Sequence, residues 1–114
     1  MRQTDAVVVL DGSRLIGGEN FHSEFAAVFG FPGFYGRNMD AWVDCMSSLD
    51  VPDAGMTKLV IESGTTMTIR INNYSCFKKA APQQCTDLLE CAAFVNWRRT
   101  EEGRGAILAL AFYD

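Results

Sequence analysis

Pro32-Gly33-Phe34-Tyr35-Gly36-Arg37-Asn38-Met39-Asp40-Ala41-Trp42-Val43-Asp44 is the most telling run in this chain. A glycine-broken aromatic loop runs into a helix that starts near Asn38, whose side-chain oxygen suits the first unpaired backbone N–H groups. The helix is expected to continue to Leu49 or Asp50. At about 100° per residue, Leu49, Trp42, Met46 and Met39 fall on one side, with Val43 at its edge. Asp40, Asp44, Ser47 and Ser48 fall on the other. The two carboxylates stand one turn apart, a repulsion of roughly a few tenths of a kcal/mol. The positive amino-terminal end of the helix offsets part of it at Asp40. Two acids beside an aromatic loop suit a cationic partner, although the same spacing also describes a solvated helix face.

Working outward, Ala6-Val7-Val8-Val9-Leu10 is a β-branched apolar run closed by Asp11-Gly12, the pattern of a parallel strand covered on both faces. From Glu19, the residues Phe21, Phe25, Val28 and Phe29 recur at helical spacing until Gly30 and Pro32 end the pattern. Pro52 and Gly55 mark a break. Lys58-Leu59-Val60-Ile61 and Met67-Thr68-Ile69-Arg70-Ile71 flank Ser63-Gly64-Thr65-Thr66, which predicts a hairpin. Tyr74 to Lys79 reads as a short helical piece stopped by Pro82. A longer helix is expected from Gln83 to Glu102, with Leu88, Leu89, Cys91, Ala92 and Val95 facing inward. Ala106 to Phe112 is a further buried strand. The order strand, helix, helix, strand, helix, strand fits a small α/β fold with a mainly parallel sheet.

The chain of 114 residues has room for a single domain over residues 1–114, with one core. Its 48 % hydrophobic and 21 % charged residues are ordinary for a folded protein. A net charge of −4, from 14 acids against 10 bases, disfavours nucleic acid and favours basic partners. No run of about 18 apolar residues could span a membrane, and the amino terminus does not resemble a secretory signal. A cytoplasmic protein is expected.

Cys45, Cys76, Cys85 and Cys91 lack the paired spacing of a zinc site, so they read as buried free thiols, and neither metal nor cofactor is expected. His22, the single histidine, has no positioned nucleophile beside it, which argues against an enzyme. Gly36 reads as a backbone conformation that other residues resist. The pairs Lys78-Lys79 and Arg98-Arg99 read as solvated surface rather than an RNA contact.

The run Tyr35-Gly36-x-Asn38-x-Asp40-Ala41-x-x-Asp44-Cys45, together with the first strand, Asp11-Gly12 and the first helix, resembles the barstar family. A looser likeness resumes at Glu102-Gly103 and the final apolar strand. The resemblance implies a small, mainly parallel three-stranded sheet packed with helices. It also implies a partner-binding surface, made by the second helix and the loop before it, that plugs the basic active-site cleft of a ribonuclease. Asp44 matches the acid that takes the place of the substrate's phosphate, and Asp40 matches a flanking acid. Phe34 stands where the family has a tyrosine and keeps the ring without the hydroxyl. Tyr35, Gly36 and Asn38 complete that surface, largely as loop braces and a helix cap.

Three departures accompany the match. Val43 replaces an aromatic residue on the binding face, Arg37 replaces a glutamate at the rim, and Arg98 stands where the family has another contacting acid. Extra residues around Asp53 to Thr66 imply an added strand. The expected function is therefore inhibition of, or immunity to, a basic ribonuclease or nuclease-type toxin, by a protein that is monomeric when free. The alternative is an interaction or regulatory domain that keeps the fold without inhibiting a nuclease.

Overall fold

In the computed structural model, which describes residues 6–114, three strands pair in parallel: β1 (Ala6–Asp11), β2 (Met67–Asn72) and β3 (Leu108–Phe112). β2 lies in the centre. Helices α1 (Gly18–Phe29) and α2 (Met39–Ser47) connect β1 to β2, and α3 (Tyr74–Ala80) and α4 (Pro82–Glu101) connect β2 to β3. Such long crossovers are what parallel neighbours require. The alternation expected of Met67 to Ile71 holds, with Met67, Ile69 and Ile71 buried and Thr68 and Arg70 half-buried.

The expectation that β1 is covered on both faces does not hold. Val8 and Leu10 are buried, but Val7 is 59 % and Val9 54 % exposed. The register places Val9 beside Arg70 and Ala111 on the less covered face, where the Arg70 guanidinium lies 3.7 Å from the Tyr113 ring centroid. The apolar run resembles a two-sided strand because valine is favoured in strands whichever face it occupies.

The predicted hairpin and the added strand are also absent. Within 53–66 the chain forms only a short 3-10 turn at Pro52–Ala54 and irregular loop. The Lys58 N–H donates to the carbonyls of Phe29 and Gly30 at 3.0 Å, and the Leu59 N–H donates to Phe29. The Ile61 N–H donates to the Leu49 carbonyl at 2.9 Å. Backbone groups that could have joined a sheet instead satisfy carbonyls left unpaired past the ends of α1 and α2. This segment is a strap across two helix ends.

In α1, Phe21, Phe25 and Phe29 are buried while Val28 turns outward. Gly30 ends the helix with φ +69, and its N–H donates to the Ala26 carbonyl. In α4 the inward seam is Cys85, Leu88, Ala92, Val95 and Arg99. Leu89, expected inside, is 41 % exposed and Cys91 is half-buried, because both lie off that alternating three- and four-residue seam. Trp42 is fully buried and meets Phe25 edge-on, with ring centroids 5.6 Å apart. The sheet's packed face, α1, α2 and α4 share this core.

Candidate partner-binding surface

The loop before α2 is pinned at its aromatic residues. Phe31 is buried, and the Tyr35 ring packs on it at a centroid distance of 4.6 Å. The Tyr35 hydroxyl lies 2.6 Å from His22 Nδ1 on α1. Burial holds the His22 imidazole below its ordinary pKa, helped by the Arg37 charge and opposed by Glu19. Burial pushes the Tyr35 hydroxyl strongly up, so it stays protonated. A neutral histidine and a neutral tyrosine thus brace the loop from beneath. Phe34 has no such anchor and stands 77 % exposed.

Gly36, read as holding a backbone conformation that other residues resist, does not have a positive φ; Arg37 does, with φ +55. A Cβ at Gly36 would come within 3.3 Å of Asn38 Nδ2, a tight approach to the side chain that caps α2. Asn38 then caps α2 as predicted. Its Oδ1 accepts from the Ala41 N–H at 2.8 Å, and its Nδ2 donates to the Gly36 carbonyl. Arg37 is turned away from α2 and onto α1. Its guanidinium donates to the Glu19 carboxylate at 2.8 Å, the Glu19 carbonyl at 3.0 Å and Ser23 Oγ at 2.7 Å. The charge reversal read from the sequence is therefore largely answered within the molecule.

Asp40 and Asp44 both face solvent on α2. Asp44 borders two depressions. One, on the loop side, includes Pro32, Phe34, Gly36 and Ala41; the other lies between α2 and α4 and includes Asp40, Val43, Cys91, Phe94 and Arg98. Val43, expected on the binding surface, is only 6 % exposed and belongs to the core. It lies at the edge of the apolar stripe, where α2 packs against α4. Cys45 is buried as expected, and burial together with the Asp44 charge pushes its thiol up to about 11. Such a thiol is unreactive at neutral pH. Cys76, by contrast, is exposed.

Two features escaped the sequence reading. The first is a buried ionic clamp. Arg99, expected at the surface, is 3 % exposed and donates to both Asp50 carboxylate oxygens, at 3.0 and 2.9 Å. It also donates to the carbonyls of Ser47 and Gly105. Arg104 adds a contact to Asp50 at 3.2 Å. Burial raises the Asp50 pKa, but the hydrogen bonds and charge of Arg99, with Arg104, more than reverse this and leave it below the ordinary value. The clamp fixes the end of α2 to the end of α4. The helical seam reaching Arg99 was its only trace in the sequence.

The second is an ion pair across the inter-helix groove, Arg98 to Asp44 at 3.6 Å. Arg98 also donates to Ser47 Oγ at 2.9 Å, and that hydroxyl donates in turn to the Val43 carbonyl. Beyond Arg98, α4 exposes Phe94 and Trp97, whose ring centroids lie 5.7 Å apart. Among the described residues, no group of three His, Cys, Asp or Glu side chains is placed to hold a metal ion. No helix among them is long and apolar enough to cross a membrane.

A search of curated proteins returns no match. The family model for Barstar (barnase inhibitor) matches residues 6–110, nearly the whole chain. That match covers β1, β2, the capped acidic helix and the first part of β3, and the parallel sheet with its helical connections agrees with it, so the chain belongs to the barstar family.

Proposed function

We propose that this protein binds and blocks the active site of a basic ribonuclease or nuclease-type toxin. Asp44 would stand in for a substrate phosphate, and Asp40 would meet flanking cations. The observation that carries the reading is the solvent-facing Asp40–Asp44 pair on a helix whose loop and cap are fixed from below. A carboxylate desolvated against guanidinium and ammonium groups makes strong charge-assisted hydrogen bonds. Phe34 adds an exposed ring at the edge of that site, and Tyr35, Gly36 and Asn38 hold its shape. Members of the barstar family are inhibitors rather than enzymes, and the same role is assigned here, for a cytoplasmic protein that is monomeric when free.

Titrating the purified protein into a panel of basic microbial ribonucleases tests this. Inhibition is expected to be competitive with an RNA substrate and relieved by added inorganic phosphate. Absence of inhibition across the panel would overturn it. The internal pairing of Asp44 with Arg98 favours a second reading, an interaction domain that no longer inhibits a nuclease. Recovery of a non-nuclease partner through a surface that Asp44→Ala leaves intact would establish that reading instead.

A further inference from the structure

The groove between α2 and α4 does not present bare negative charge. Asp44 is already approached by Arg98 at 3.6 Å, and Arg98 is held in place by Ser47 Oγ. The guanidinium is about one-third exposed and its carboxylate partner 60 % exposed, so both would lie under a docked protein. Next to them, Phe94 and Trp97 expose 45 % and 58 % of their surface on α4. Among the described residues, Asp40 has no ion-pair partner. The groove thus brings together an acid without an ion-pair partner, an acid shared with an arginine, and the Phe94 ring with Trp97 beside it.

Resting on the inhibitor reading above, we infer that Arg98 is the specificity-determining residue of this surface. It competes with the partner's cations for Asp44, and it requires a carboxylate on the partner beside the cationic cleft. A uniformly basic cleft would leave Arg98 facing like charge with its remaining N–H donors unmatched, an arrangement that disfavours the wrong partner. A cleft bordered by an acid would take over the guanidinium and release Asp44 to its own cations. Apolar side chains next to that acid would cover Phe94 and Trp97. The fitting partner is thus a basic nuclease with an acidic, partly apolar rim on the side that meets α4.

The test uses catalytically inactive barnase as a probe with a basic cleft, and measures binding by calorimetry. Arg98→Gln is expected to bind at least about tenfold more tightly than the wild type, and Arg98→Lys to restore the wild-type value. In an Asp44→Asn background the gain from Arg98→Gln is expected to fall below about threefold, because the competition is for Asp44. Thermal melts of each variant exclude loss of fold as the cause. Unchanged or weaker binding by Arg98→Gln, with Asp44→Ala still weakening it, overturns the inference and leaves the inhibitor reading standing. An Arg98→Gln gain that survives undiminished in the Asp44→Asn background also overturns it. Where barnase is not bound, the same variants are measured against whichever panel ribonuclease is inhibited, with the same expected and overturning results; if none is inhibited, both readings fail together.

Discussion

The pairing of His22 with Tyr35 ties the exposed loop to α1 through one short contact between two neutral groups. The folded protein holds the His22 pKa below its ordinary value, so folding favours the unprotonated imidazole. The resulting stability is fully present above the unfolded-state pKa of about 6.5 and is lost as pH falls through the lower folded value. Urea denaturation is therefore expected to give lower stability near pH 5 than at neutral pH. A variant His22→Phe should flatten the profile in that window; an unaltered slope would contradict the account. The residues that brace the loop were only partly legible. Asn38 announced its cap, but His22 and Tyr35 are thirteen positions apart and no local pattern joins them. At Gly36, sequence spacing marks a glycine without revealing whether backbone angle or the room beside Asn38 favours it.

At the level of elements, α1, α2 and β2 could be read from periodicity because each buries one regular face. The strap at Lys58–Ile61 could not, since an apolar β-favouring run looks the same whether it pairs with a strand or serves helix ends. The same limit hid the clamp at the end of α2: Arg99 sits on a helical seam, but its partner Asp50 lies in a turn after another helix. Removing one member of a buried pair leaves the other charge unanswered, which typically costs about 3–5 kcal/mol. Asp50→Ala is expected to lower unfolding stability by that order in guanidinium titrations. Asp44→Ala, which removes a largely exposed pair, should change it by no more than about 1 kcal/mol. Equal effects from the two substitutions would show that the clamp does not organise the α2–α4 junction.

For the molecule as a whole, the location of the proposed site accords with what the fold leaves open. Open parallel α/β sheets commonly bind ligands at the carboxyl ends of their strands. Here that end is occupied by the protein's own groups: the Asp11 carboxylate accepts from Ser13 and from Asn73 Nδ2. A Cβ on Gly12 would approach the Asn72 and Asn73 carbonyls to 2.8 Å. The helical layer instead carries the acids, the exposed aromatic rings and Arg98, proposed above to select among partners. The family was legible from the motif between Tyr35 and Cys45, while Arg98's position beside Asp44 was visible only once α4 had packed against α2.

Asp44 in a cationic cleft is tested most directly by the binding free energy of Asp44→Ala to an inhibited ribonuclease, with the exposed substitution Lys79→Ala on α3 as control. Truncating one partner of a desolvated charge pair costs about 2–5 kcal/mol, a range to which barstar–barnase pairs themselves contribute. Asp44→Ala is expected to weaken binding by that amount and to make the remaining affinity less dependent on salt, while Lys79→Ala leaves the affinity unchanged. Equal affinities for the wild type and Asp44→Ala would contradict the account.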